Sequence, residues 1–179
     1  MGIFVAKAIR PSKLRQDAFR LEFLTEMRKV GRLMQKDLNS CTDTWTHKPE
    51  WELEVTLRDG PAVYLGLKGT SENNRIFRYV DKGTRPHEIW AGFWTGKSDH
   101  KTLAFPSVFT PKTTPGVIGS QAGSSGGATR FAVHVNHPGT EARRFTDTLQ
   151  EKWEPLFRDH MEDAMRRAAE KSGHGERGR

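Results

Sequence analysis

Seven histidines are the side chains of this sequence best suited to bind a metal ion or to accept a proton near neutral pH. His134 and His137 are three residues apart in a segment of strand character, which places them on opposite faces of the strand. His87 and the carboxylate of Asp81 can join them only if the chain folds back at Pro138. The alternative is that His87 and His137 each bond a neighbouring backbone group. We expect no metal site and no cofactor.

Two other features have some of the elements of a catalytic site but not all of them. Cys41 is the single cysteine, which excludes an internal disulfide and a cysteine-clustered zinc site, and no local signature pairs it with a histidine. The glycine-rich run 123–127 is followed by a strand, whereas a phosphate-binding loop needs a strand before it, a helix after it and usually a lysine at its end. We therefore expect no enzymatic activity.

The chain is basic, with 29 lysines and arginines against 22 acidic residues, a formal net charge of +7 and an isoelectric point near 9.8. Such a surplus favours contact with polyanions or with acidic protein surfaces. Aromatic and basic residues also alternate over residues 75–79, where they could stack on single-stranded bases, although a half-buried strand has the same pattern. Nucleic-acid binding through the basic surface is therefore an alternative function.

Two amphipathic helices are predicted near the ends of the chain. In the first, from about Ser12 to Leu38, apolar residues recur every three or four positions, and Ser12 is the expected cap. The second follows Thr140, its expected cap, and carries Phe145 at the start of its apolar stripe. Pro155 lacks an N–H and clashes with the preceding turn, so it should kink or restart this helix.

Period-two alternation predicts strands in the middle of the chain. Residues 51–58 and 62–68 flank the dipeptide Asp59-Gly60, a strong hairpin signal, so they should pair as antiparallel strands. Residues 75–80 are predicted to form a third strand, and residues 130–136 a later one.

A long loop is expected between two of the later strands. The apolar segments 88–94 and 103–105 precede Pro106, and residues 106–129 are rich in glycine, proline, serine and threonine. Such a stretch inside a compact domain is usually functional or disordered. We expect the flexible tip of an extended hairpin that becomes ordered against a partner. Its candidate contact residues are Val108, Phe109, Lys112, Val117 and Ile118.

These elements predict an α+β fold in which a mainly antiparallel, twisted sheet is packed by the N-terminal and C-terminal helices. The length of 179 residues suits one domain, here residues 1–170, followed by a disordered tail over residues 171–179. The mean hydropathy of −0.72 argues against a spanning helix. Residues 1–6 are too short an apolar stretch for a signal peptide, and we expect no membrane partner.

Two turn motifs are more informative together than any feature above. The first, residues 79–87 with the sequence YVDKGTRPH, is followed by the apolar residues 103–105. The second is residues 135–145, with the sequence VNHPGTEARRF. In this order the pair resembles the tail-completion or neck proteins of long-tailed bacteriophages, the phage tail-component family that includes minor tail proteins.

The resemblance covers roughly residues 76–153 and departs from the family pattern in three places. Asp81 stands where Glu is common, Arg144 stands where Pro often precedes the Phe, and the segment 106–128 is long. The resemblance implies an assembly role for the residues of the two turns. They are Asp81, Gly83, Thr84, Pro86, His87, His137, Pro138, Gly139, Thr140 and Phe145. We expect positive φ angles at Gly83 and Gly139.

The resemblance further implies a structural virion protein of the phage neck, assembled in the host cytoplasm. It would form a homo-oligomeric, hexameric ring that completes the tail and joins it to the DNA-filled head. The implied partners are a head-connector or head-closure protein, a tail-terminator or tail-tube protein, and DNA in the channel, contacted without sequence specificity. The third and weakest hypothesis is a metal-dependent hydrolase centred on His87 and His137.

Overall fold

A computed structural model describes Lys13 and residues 15–91 and 101–174 of the chain. Several expectations lie outside these residues. They are the cap at Ser12, the character of residues 1–6, the end of the apolar segment 88–94 and the last five residues of the expected tail.

Helices α1 (Gln16–Cys41) and α3 (Phe145–Ala169) pack against each other and contribute most of the buried core residues. The buried stripe of α1 includes Phe23, Met27, Val30 and Leu38, whereas Leu21, an apolar residue of the same helix, is 60% exposed. The apolar side chains buried between the helices supply most of the favourable free energy of this packing.

Strands β1 (Trp51–Thr56) and β2 (Ala62–Leu67) form the predicted antiparallel hairpin, with Leu53 opposite Leu65. Their inward side chains pack on α1. A Cβ atom at Gly31 of α1 would overlap the side chain of Leu53, so this glycine permits the close approach of helix and hairpin.

The predicted third strand at residues 75–80 is wrong, because this segment lies within helix α2 (Glu72–Lys82). The side chain of Ser71 caps the helix by accepting a hydrogen bond from the amide of Asn74 at 3.3 Å. Asn74 is buried and its side chain bonds the backbone of Glu50 and Lys68 at the ends of the hairpin. The apolar residues of segment 75–80 suit one face of a helix as well as one face of a strand. The cap at Ser71 favours the helix.

The remaining strands form two ladders. Strand β3 (His87–Trp90) pairs with β6 (His134–His137), and β4 (Leu103–Thr110) pairs with β5 (Ser124–Ala132). Strand β4 therefore continues through Pro106, where we expected the long loop to begin. Proline is tolerated here because β4 is an edge strand.

The long loop expected over residues 106–129 is shorter in the structure, since both of its ends belong to strands. Only residues 111–123 connect β4 to β5. This connection, hereafter the docked loop, is attached to the body of the protein. The amide of Gly116 donates to the carbonyl oxygen of Arg143 at 2.9 Å, and Ile118 packs on the main core.

Helix α3 is continuous through Pro155, where a kink or restart was expected. A π-helical turn (Glu170–His174) follows it, so residues 171–174 are not a disordered tail. Ser172 in this turn is buried, and its hydroxyl bonds the carbonyl oxygen of Ala168 and the amide of Arg15. The end of α3 is thereby fixed to the start of α1.

The α+β class is confirmed, with helices from both ends of the chain packed on antiparallel strands. In the described residues the strands form three two-stranded sheets, where we expected one sheet. Across those same ranges, no helix is both long and apolar enough to cross a membrane.

Candidate functional site

The two turn motifs, about 55 residues apart in sequence, lie against each other in space. Thr84 and Thr140 form an antiparallel bridge in which each amide donates to the other's carbonyl oxygen, at 2.9 and 3.2 Å. The amide of Thr140 also donates to the hydroxyl oxygen of Thr84 at 2.9 Å. We call this paired structure, residues 81–87 with 137–146, the turn junction.

Glycine is required at two positions of the turn junction. Gly83 has φ +73° and Gly139 has φ +90°, as predicted, and L side chains rarely adopt this region. A Cβ atom at Gly83 would lie 2.6 Å from the carbonyl oxygen of Thr140, and one at Gly139 would overlap the carbonyl oxygen of Thr84. The two turns therefore approach each other through the faces on which their glycines lack side chains.

Asp81 joins the turn junction to the start of α3. Its buried carboxylate accepts hydrogen bonds from the amide of Thr146 at 3.0 Å and from the hydroxyl of Thr146 at 2.7 Å. It thus caps a helix that begins 64 residues later, the role that we assigned to Thr140. Local sequence carries no signal for such a long-range cap, so Thr146 was not identified as a partner.

Backbone hydrogen bonds join the C-terminal end of α2 to the residues that precede α3. The amide of Arg143 donates to the carbonyl oxygen of Val80 at 3.0 Å, and that of Arg144 to Asp81 at 2.9 Å. Beside them the ammonium of Lys82 lies 2.9 Å from the carboxylate of Asp147, whose hydrogen bond raises the pKa of Lys82. These bonds hold the end of α2 and the start of α3 in one orientation.

The side chain of Phe145 anchors the turn junction in the hydrophobic core. Its side chain is fully buried and its ring lies 5.8 Å from that of Phe77 on α2. Phe77 in turn meets Trp51 of the hairpin edge to face, with ring centroids 4.9 Å apart. The position of the two turns is therefore fixed by the aromatic core, while Pro86 and Pro138 are exposed on the outer surface.

The histidines of the junction are bonded to nearby backbone, the alternative that we set against a metal site. His87 and His137 are cross-strand neighbours with ring centroids 5.0 Å apart. Nδ1 of His87 donates to the carbonyl oxygen of Arg85 at 2.9 Å, and Nδ1 of His137 accepts from the amide of Gly139 at 3.0 Å. In the described part of the chain, no three His, Cys, Asp or Glu side chains are grouped to hold a metal ion.

The predicted loop contacts fall into two groups. Val108, Phe109 and Val117 are 55%, 71% and 50% exposed, so they are accessible as expected. Ile118 packs on the core, and Lys112 donates to the carbonyl oxygen of Thr44 at 2.7 Å, so both hold the docked loop to its own subunit.

A groove of about 450 Å³ separates the docked loop from the turn junction. Its lining combines residues from both predicted groups with an aromatic residue after α1 and two apolar residues of α2. They are Phe109, Lys112, His137, Thr140, Trp45, Ile76 and Val80. Two residues of each group selected from the sequence thus face one depression.

The ladder of β4 and β5, hereafter the ribbon, is the most exposed structured part of the described chain. It makes few contacts with other elements, and Phe131 on it is 70% exposed, close to the value for Phe109. A two-stranded ladder without support is marginally stable in water. Its exposed apolar side chains are typical of a surface that another protein covers.

A second candidate contact surface lies between the β1–β2 hairpin and α3. Strand β2 pairs only with β1 in the part of the chain that the structure covers, and a groove of about 540 Å³ runs between β2 and α3. Its apolar lining includes Val63, Leu65, Leu149, Trp153 and Phe157. We call this the edge groove.

Comparison of the chain with protein-family models, curated proteins and solved structures gave no significant match.

Proposed function

We propose that this protein is a structural component of the neck of a long-tailed bacteriophage, where it forms a ring that completes the tail and joins it to the DNA-filled head. The observation that carries the proposal is the contact between the two motifs on which the resemblance rests. They pair through Thr84 and Thr140, and their glycines face each other's backbone. Their contact supports a shared structural role for the two motifs.

The surfaces of the protein support assembly into a ring. A closed ring needs two different patches on each subunit, one of which binds the other on the neighbour. The ribbon and the edge groove are two such patches, one projecting and one concave, and both are apolar. An unpaired strand edge such as that of β2 accepts an added strand in many protein complexes.

The charges of the two patches are complementary. The strands of the ribbon, residues 103–110 and 124–132, contain Arg130 and no acidic residue. The edge groove is bordered by Glu154, and the neighbouring strand β1 exposes Glu52 and Glu54. Opposite charge steers association and disfavours wrong pairings. In this arrangement the head-connector or head-closure protein and the tail-terminator or tail-tube protein bind the two faces of a hexameric ring.

Native mass spectrometry of the purified protein tests the ring. We expect closed assemblies of six chains for the wild type and smaller species for Phe131→Ser with Arg130→Glu, which change the ribbon. Leu21→Ser is the matched control, because Leu21 is 60% exposed on α1 and belongs neither to the ribbon nor to the lining of the edge groove. Wild-type protein that stays monomeric at every concentration, or ribbon variants that assemble normally, would contradict this arrangement.

One observation favours the alternative function, nucleic-acid binding. The solvent-exposed side of α1 carries basic side chains, including Arg28 and Arg32. A module that only binds nucleic acid would use this surface without forming a ring, so the mass measurement separates the two functions.

A further inference from the structure

The acidic and basic side chains of α1 are sorted onto different sides of the helix. Glu22 bonds Arg167 and Lys171, Glu26 bonds His160 and Arg167, and Asp37 bonds Lys152 and Trp153, all of which belong to α3 or the turn after it. The remaining acidic residue of α1, Asp17, pairs with Arg15. The acidic groups of this helix are thus neutralised within the subunit.

The basic residues face solvent instead. Arg28, Arg32 and Lys36 are exposed, and none of the three forms an ion pair within the described residues. Because they follow each other at four-residue intervals, they lie along one side of the helix. They span about 12 Å at a rise of roughly 1.5 Å per residue. Lys29, which pairs with Glu26 at 3.0 Å and is 60% exposed, lies beside this row.

We propose that the row of Arg28, Arg32 and Lys36 binds the phosphate backbone of double-stranded DNA without reading its sequence. B-DNA carries one negative charge for about every 1.7 Å of its axis. A rigid row of cations about 12 Å long therefore faces several phosphates at once. The inference goes beyond the ring, since a single subunit already presents the complete row.

The composition of this face favours duplex DNA over two other polyanions. An amphipathic helix that lies on an anionic membrane inserts an apolar face, but the apolar stripe of α1 is buried against α3 and the β1–β2 hairpin. Single-stranded nucleic acid is bound by stacking on aromatic side chains. The aromatic residues of α1 are Phe19 and Phe23, which stack on each other on the core side.

Fluorescence anisotropy with a short random-sequence DNA duplex tests the proposal. Three phosphate contacts give a slope of about −2.7 in log affinity against log salt, so wild-type affinity should fall about 40-fold between roughly 50 and 200 mM NaCl. Arg28→Gln with Arg32→Gln and Lys36→Gln should remove most of this slope. Glutamine is nearly as good a helix former as the residues it replaces, and circular dichroism checks the fold.

The matched control changes three other exposed basic residues, Lys48→Gln, Arg58→Gln and Lys68→Gln, and lowers the formal net charge equally, from +7 to +4. It should keep the wild-type slope.

Equal loss in both triple variants would assign binding to net charge and overturn the proposal, as would wild-type binding without salt dependence. Tighter binding to phosphatidylserine vesicles or to a single strand than to the duplex would also overturn it. The double variant Arg28→Gln with Arg32→Gln should lose about two thirds of the slope. Each result stands whether or not the protein forms rings.

Discussion

At the scale of single residues, Gly83 and Gly139 determine whether the two turns can meet. Each has a positive φ, and each faces the backbone of the opposite turn. At Gly83, φ +73° with ψ 173° is a region that is essentially restricted to glycine, and it costs an L residue on the order of 1–3 kcal/mol. The collision with a backbone atom adds to that cost, because backbone cannot move aside as a flexible side chain does. Val at either position is worse than Ala, since it is also β-branched.

We predict that Gly83→Ala lowers the free energy of unfolding by about 3 kcal/mol or more, the sum of conformational and steric costs. Gly69→Ala is the matched control, because Gly69 has φ +69° but open space around its Cβ position. That variant should lose only about 1–2 kcal/mol. Urea unfolding measures both, and equal losses would show that the contact between the turns contributes nothing.

Asp81 is the second decisive residue, because it couples α2 to α3. We predict that Asp81→Ala costs about 1–2 kcal/mol, the usual range for loss of a helix cap. A double-mutant cycle with Thr146→Ala isolates the bond, since Asp81 accepts from both the amide and the hydroxyl of Thr146. Additive losses in the cycle would mean that the hydroxyl bond does not contribute to stability.

At the scale of secondary-structure elements, the α1–α3 pair is held by ion pairs as well as by apolar packing. Hydrogen bonds from Lys171 and Arg167 hold the pKa of Glu22 below its ordinary value. A carboxyl group whose pKa is lowered in the folded state stabilises the protein above its unfolded pKa, and that stability is lost as the pH falls through the folded pKa.

We predict that Glu22→Gln reduces the loss of stability on acidification below about pH 4.3, the ordinary pKa of glutamate. At neutral pH it should cost about 1 kcal/mol. Glu162→Gln, an exposed position on α3, is the control and should leave the acid limb of the curve unchanged. Thermal melting as a function of pH measures both variants. An acid limb in Glu22→Gln identical to the wild type would contradict the role of these ion pairs.

The docked loop provides a matched pair of adjacent apolar residues. Ile118 packs on the main core, whereas Val117 is 50% exposed. We predict that Ile118→Ser lowers the free energy of unfolding by about 2–3 kcal/mol, in the range for truncation of a buried aliphatic side chain. Val117→Ser should change it by less than about 0.5 kcal/mol. Equal effects would indicate that the loop is free in solution, as the sequence alone suggested.

Sequence patterns predicted the elements whose signals are local. The hairpin of β1 and β2 followed from alternation around Asp59-Gly60, and the glycine conformations followed from their turns. Helix α2 was missed because Ile76, Phe77 and Val80 fit a strand or a helix, and the capping Ser71 was not weighed. The docking of residues 111–123 and the cap from Asp81 to Thr146 depend on contacts between distant segments, which no local pattern encodes.

At the scale of the whole molecule, the described residues form a packed body with apolar surfaces that the same residues leave exposed. The turn junction fixes α2, α3 and the β3–β6 ladder relative to the core. The ribbon lies outside this frame, and the edge groove lies between α3 and β2. Under the proposed function, both surfaces would contact neighbouring subunits. The row of basic residues on α1 is a third surface, suited to DNA. The proposed neck ring would use the first two surfaces for protein contacts and the third for DNA.

The most direct test of the neck assignment is electron microscopy of lysates from a phage whose copy of this gene has been deleted. The account predicts DNA-filled heads and separate tails that fail to join, or tails with abnormal ends. Supplying the wild-type protein should restore joined particles, and supplying Phe131→Ser with Arg130→Glu should not. Normal infectious particles in the absence of the protein would contradict the central claim.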